Sequence, residues 1–246
     1  MPIVDQELTA SIVGWRRLFA PLLVLIFCAG CGTTGPILSS SEPNVVIFRG
    51  IGGYFPYISD LEDRILDEGA CTTVAFAGAH RQVAERIVGA RNNGRLNGPL
   101  VIVGYSAGAD KALRVARRLG QCGIAVDKLV LLEASINGRV PGNVTECVNI
   151  YKSQPWNEYF PYFRGCSVVA ESADTRLVNY NVRDYNDGRY DWDNHLTLTF
   201  NPYVRDLLFD EVMAGVEGES GPDATLSGQQ DGDQVNVADE FPRSMN

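Results

Sequence analysis

Histidine is scarce in this chain: His80 and His195 are the only two among 246 residues. Any chemistry that uses an imidazole as a base therefore has two places to find one. No stripe of lysine and arginine exists, which argues against nucleic acid as a partner. The net charge is −9, but residues 217–246 hold seven acids against Arg243 alone and so carry −6 of it, leaving a nearly neutral body. No apolar run approaches the roughly 20 residues that span a bilayer. Beyond Cys31, the cysteines Cys71, Cys122, Cys147 and Cys166 include no Cys-x-x-Cys, so neither zinc nor any other metal is expected. The glycine-rich stretch Arg49-Gly50-Ile51-Gly52-Gly53 is not followed by Gly-Lys-Ser/Thr, which excludes a P-loop. No internal repeat is present.

What is present begins with an address. Arg16 and Arg17 precede an apolar run from Leu18 to Phe27, then Cys28-Ala29-Gly30-Cys31. A positive flank, a short apolar core and small residues make an export signal. The small residues ending in Cys resemble the lipobox of bacterial lipoproteins, although Cys28 stands where that family usually has Leu. The resemblance implies acylation of Cys31, a palmitate-type anchor, and an envelope location facing the periplasm or the cell surface. Ordinary cleavage after Gly30 is the alternative. Arg16-Arg17-Leu18-Phe19 also resembles a twin-arginine signal. Residues 1–30 thus read as a leader, 31–43 as a tether rich in Gly, Ser and Thr, 44–215 as one domain, and 216–246 as an acidic, disordered tail. An exported address permits disulfides. Cys147 with Cys166 closes a local loop and is the favoured pair, leaving Cys71 with Cys122.

Within the domain, apolar runs alternate with amphipathic stretches. Val45–Phe48, Thr72–Phe76, Leu100–Val103, Leu129–Leu132 and Val148–Tyr151 read as strands. Ser59-Asp60-Leu61-Glu62 forms a capping box for a helix that Gly69 stops. Gln82–Arg91 reads as a helix. Another runs from the glycine-flanked Ser106 to Leu119, with Gly120 as its stop. Asn201-Pro202 caps the last, which buries Val204, Leu207, Leu208 and Val212. Near-continuous apolar strands alternating with helices predict an α/β fold: a parallel sheet covered on both faces. From Gly138 to Asn194 the pattern breaks down and aromatics accumulate. The stretch Tyr151–Phe163 is a candidate wall for an apolar pocket, in a chain too short for a large cap domain.

Gly104-Tyr105-Ser106-Ala107-Gly108 lies between a strand and a helix. So sharp a turn leaves no room for a Cβ on either side of the serine, holds its backbone strained, and projects the hydroxyl above the sheet. His195 follows late in the domain and is the expected base. His80, at the carboxyl end of its strand, reads as a packed loop residue. The acid is the open point. Glu133 follows the next strand, while Asp174, Asp184, Asp187, Asp191 and Asp193 also lie between Ser106 and His195. An oxyanion needs two N–H donors: Ala107 directly after the serine, and Ile51 or Gly52 from the loop after the first strand.

Arg49-Gly50-Ile51-Gly52-Gly53, Gly104-Tyr105-Ser106-Ala107-Gly108 and Asn194-His195-Leu196 together resemble the α/β-hydrolase superfamily, in a small form similar to bacterial lipase-like and thioesterase-domain proteins. Arg49 departs from the His-Gly-Gly loop of lipases. The resemblance covers about Asn44 to Gly215. It implies a serine hydrolase of carboxylic esters or thioesters that works through an acyl-enzyme without a cofactor. Some lipases place their acid where Glu133 stands, although aspartate is usual there. A monomer acting on a small-molecule or lipid ester, attached to the membrane by its lipid anchor, is expected. The alternative is an inactive envelope lipoprotein that uses the same fold for binding or structure.

Overall fold

The computed structural model describes residues 33–34, 42–153, 165–185 and 193–218. The apolar runs form a seven-stranded sheet: β1 (Thr33–Thr34), β2 (Asn44–Arg49), β3 (Cys71–Phe76), β4 (Leu100–Tyr105), β5 (Val126–Leu132), β7 (Val144–Tyr151) and β9 (Arg176–Asn181), in the order β1-β3-β2-β4-β5-β7-β9. Every pairing is parallel except that of β1 on β3. The short strands β6 (Arg139–Val140) and β8 (Val169–Ala170) pair separately.

Alternate residues of the central strands feed two cores, as a sheet buried on both faces requires. Val46, Phe48, Ile102, Leu129 and Leu131 pack with α2 (His80–Asn92) and α3 (Ala107–Gln121). Val45, Ile47, Val103, Tyr105, Val130 and Leu132 pack with α1 (Ile58–Asp67) and α4 (Pro202–Glu217). From β2 the chain crosses through α1 to β3 on one side. From β4 it crosses through α3 to β5 on the other. The carboxyl ends of β2 and β4 therefore flank a point where the winding reverses, the place where open α/β sheets leave a crevice for ligands.

Several sequence expectations need correction. The helix expected from the capping box starts at Ile58, after Tyr57 in a left-handed conformation, and Ser59 lies inside it without capping. His80 opens α2 instead of sitting in the loop before it. Gly120 is within α3; the left-handed residue past its end is Gly123 (φ 70°). The region after Gly138 is not patternless, since it contributes β6, most of β7, β8 and β9. Strand β9 reads Arg-Leu-Val-Asn-Tyr-Asn, and asparagine is disfavoured in strands. Here Asn179 serves a neighbouring segment instead. Its amide nitrogen donates to the Val168 carbonyl, and its oxygen accepts from the Val168 N–H. The tether contributes β1 to the sheet. Among the described residues neither expected disulfide is formed: Cys147 is not bonded to Cys166, nor Cys71 to Cys122. The Cys71 thiol donates to Glu42 and that of Cys166 to the Ala134 carbonyl, while Cys147 is sealed in the core. The expected tail begins too early, since Val216 and Glu217 belong to α4; the leader, Cys31 and residues 219–246 lie outside the described residues, as do Asp187, Asp191 and positions 154–164 of the aromatic stretch. Among the described residues no helix is long and apolar enough to cross a membrane, and no cluster has the ligands for a metal ion.

Candidate active site

Strand β4 ends at Tyr105, and α3 begins at Ala107. Ser106 alone makes the turn between them, at φ 56° and ψ −123°, a backbone region costly for any residue with a Cβ. The neighbouring glycines follow from space. A Cβ on Gly104 would stand 2.6 Å from the Ala109 Cα, and one on Gly108 would run into the Phe48 carbonyl. The Ser106 N–H donates to the Leu132 carbonyl at 2.8 Å, which moors the turn to β5.

The hydroxyl of Ser106 donates to His195 Nε2 at 2.7 Å, and His195 Nδ1–H donates to Glu133 Oε2 at 2.8 Å. All three side chains are buried. A buried ionised carboxylate needs partners, and Glu133 finds another in the Lys152 N–H, which donates to Oε1 at 2.6 Å. Glu133 sits just past β5 with φ 57°, and its own N–H donates to the Ile150 carbonyl. Its carboxylate is covered by Gly165, where a Cβ would lie 2.6 Å from Oε1. The segment 165–168 that places Gly165 there is held by two asparagines paired across β7 and β9. Asn149 donates to the Cys166 carbonyl, and Asn179 clamps both backbone groups of Val168.

The loop carrying His195 is fixed at both ends. The Tyr105 hydroxyl donates to the His195 carbonyl at 2.6 Å, and burial pushes that phenol above its usual pKa. Downstream, Asn201 caps α4 through the Tyr203 N–H while its amide donates to Asp193. Asp193 is thus occupied as a brace and does not reach the imidazole. Asp174 is paired with Ser172 at an exposed turn. Of the described carboxylates weighed from sequence, Glu133 is the one bonded to His195. His80 is engaged with the Ala77 carbonyl at 3.0 Å, and it lines a separate groove with Arg81, Arg114 and Arg118.

The loop after β2 closes the other side. A Cβ on Gly50 would come within 3.4 Å of the Ser106 Cβ, so the Gly50–Gly53 turn rests on the serine. Its Gly50, Gly53 and Tyr54 N–H groups bond to Tyr54, Gly50 and Ile51 carbonyls respectively. That leaves the N–H groups of Ile51 and Gly52 for an external acceptor. Ala107 opens α3, so its N–H has no partner within the helix. Arg49 lies over the ring of Phe76, its guanidinium carbon 5.7 Å from the centroid.

The elements beneath this site went unread in the sequence. Gly165, the Lys152 N–H, and Asn149 with Asn179 act through contacts made between distant segments. Asp110 is a fourth case. One turn into α3, its carboxylate faces the backbone of Ser135 and Ile136, in the loop after Glu133, with Oδ1 buried and unpartnered. Burial lifts its pKa to about 6. Only Tyr105 and Asp110 stand near a motif that could have drawn attention to them.

A reversing parallel sheet, a strained serine between its central strand and the next helix, and the chain order serine, acid, histidine define the α/β-hydrolase fold. No protein-family model matches the chain, and no curated protein matches it. Among solved structures it is similar to the thioesterase RedJ from the prodiginine pathway of Streptomyces coelicolor (13% identity, TM-score 0.39, covering 88% of this chain and 97% of that one). It is also similar to BorB, a type II thioesterase from the borrelidin cluster (11%, TM-score 0.41, 74% and 96%), and to Est1E from Butyrivibrio proteoclasticus (13%, TM-score 0.39, 75% and 93%). Likenesses this distant say nothing of substrate.

Proposed function

We propose that this chain is a serine hydrolase of carboxylic esters or thioesters, anchored in the bacterial envelope through an acylated Cys31. The observation that carries the reading is the continuous hydrogen-bonded line from Ser106 through His195 to Glu133 at 2.7 and 2.8 Å, buried at the end of the central strand. The anchor rests on the leader sequence and its Cys28-Ala29-Gly30-Cys31 end.

In this reading Ser106 Oγ attacks the carbonyl carbon while its proton passes to His195 Nε2. Glu133 holds the ring with Nδ1 toward it and stabilises the imidazolium that forms. The carbonyl oxygen takes the negative charge and is bound by the Ala107 N–H and by Ile51 or Gly52. One such donor is typically worth about 2.7–4 kcal/mol of transition-state stabilisation. Collapse of the tetrahedral species breaks the C–O or C–S bond. The leaving alkoxide or thiolate takes the proton from His195, and an acyl ester remains on Ser106. Water then attacks that ester and gives its proton to His195. The second collapse releases the carboxylic acid and returns the proton to Ser106.

Labelling by a fluorophosphonate tests the reading directly. Wild-type protein is expected to label at Ser106, and folded Ser106→Ala and His195→Ala proteins are expected not to. Folded wild-type protein that fails to label overturns the proposal in favour of an inactive binding module.

A further inference from the structure

The rim that holds Ser106 is unusually apolar for a surface in water. Around the crevice Ile51 is 60% exposed, Phe200 49%, Leu196 and Tyr57 44%, and Tyr54 40%. Two contacts tie four members of this collar in pairs: the Tyr54 hydroxyl donates to the Leu196 carbonyl, and the Tyr57 and Phe200 rings meet edge to face at 5.4 Å. Exposed apolar surface of this kind, rimmed by polar groups, marks an interaction face. Tyrosines with one wet end and one apolar body suit the boundary between headgroups and acyl chains.

The chain upstream of the domain says what covers the collar. Strand β1 runs antiparallel to β3, with Thr33 opposite Ala75 and Thr34 opposite Val74. Thr33, the first residue of β1, therefore lies on the side of the carboxyl end of β3, the side of the rim that bears Ser106. Phe76, at that end, lies directly against Gly53 of the Ile51–Gly53 turn. Only Gly32 separates Thr33 from Cys31, a reach of at most about 7 Å. A lipid on Cys31 would thus be leashed within about 7 Å of the start of β1, and so short a leash would give the bilayer a high effective concentration at this face.

We infer that the collar of Ile51, Tyr54, Tyr57, Leu196 and Phe200 lies on the membrane that holds the Cys31 anchor, so that the crevice opens into lipid and receives esters whose acyl chains reside in the bilayer. This inference rests on the anchored-hydrolase reading above. The experiment uses the full-length chain, processed in cells and reconstituted in vesicles of phosphatidylcholine and phosphatidylglycerol that carry alkyne-tagged acyl chains. The photocrosslinker p-benzoylphenylalanine replaces Phe200, Leu196 or, as a control at the far end of α3, Gln121. Several-fold more lipid adduct at positions 200 and 196 than at 121 is expected. Equal adduct at all three, adducts to protein only, or a mature chain without a fatty acyl group on Cys31 overturns the inference. Fluorophosphonate labelling of the same samples separates the two claims. Label without lipid adduct removes the docking face and keeps the hydrolase; adduct without label does the reverse.

Discussion

Gly165 stands against Glu133 so closely that a single added carbon would lie 2.6 Å from the carboxylate oxygen Oε1. The acid that orients His195 is therefore sealed by backbone with no side chain between. A Gly165→Ala substitution must push either the segment 165–168 or the carboxylate aside. A displacement of about 1 Å in a catalytic constellation can cost on the order of 10²-fold. The expected outcome is a folded protein whose ester-hydrolysis kcat falls by about that factor. Circular dichroism checks the fold, and steady-state kinetics on a p-nitrophenyl ester check the rate.

The line from Ser106 to Glu133 predicts losses that do not add. Ser106→Ala and His195→Ala should each lower kcat by about 10⁴–10⁶-fold, and the double variant should lose little more, because the groups act as a unit. Glu133→Gln keeps the shape but removes the charge facing Nδ1, and should cost about 10⁴-fold. Kinetics of the single and double variants check this; multiplicative losses would contradict a shared role.

Asp110 predicts a stability difference with a definite sign. Burial raises its pKa from 3.8 to about 6. A carboxyl raised on folding favours the native state in its protonated form. Its contribution is full below the unfolded value and is lost as pH rises through about 6. Asp110→Asn keeps a polar oxygen facing the Ser135 and Ile136 backbone without the charge. It should match wild type near pH 4 and exceed it at pH 7 by on the order of 1 kcal/mol, after allowance for partial solvent contact. Urea unfolding at the two pH values measures the difference.

At the opposite end of the sheet, Lys128 is buried on β5 beneath α4, with Glu211 at 2.7 Å and Glu146 at 3.4 Å. Gly215 of α4 lies over its stem; a Cβ there would be 2.7 Å from the Lys128 Cβ and 3.0 Å from Val101. Gly to Ala inside an open helix face usually stabilises by about 1 kcal/mol. Here overpacking should reverse the sign, to a net loss of about 1–2 kcal/mol. Lys128→Ala strands Glu211, while Glu146 keeps Arg176 at 2.6 Å, and should cost about 3 kcal/mol. Thermal denaturation of both variants tests the pair, and activity in the surviving folded protein should stay near wild type because the change is remote from Ser106.

Of the strands that were legible, β2, β4 and β5 carry unbroken apolar runs at Val45–Phe48, Leu100–Val103 and Leu129–Leu132, because each is covered on both faces. The turn at Ser106 was legible because local backbone sterics demand Gly104 and Gly108 there. Strand β9 escaped notice because its asparagines are chosen for a neighbouring segment and not for the sheet. The capping box at Ser59 misled because Ile58 is wanted in the core and draws the helix start one residue earlier.

Sequence by itself determined the layered architecture, the strained serine and the scarcity of histidine that singled out His195 as the partner expected for it, since periodicity, turn sterics and composition are local properties. Which of several carboxylates faces the imidazole was decided only in three dimensions. Glu133, Lys152, Gly165 and Asn179 meet there from separate stretches of chain. The reason is physical: a charge removed from water needs partners on every side, and only the packed sheet and the segments laid across it can bring them together.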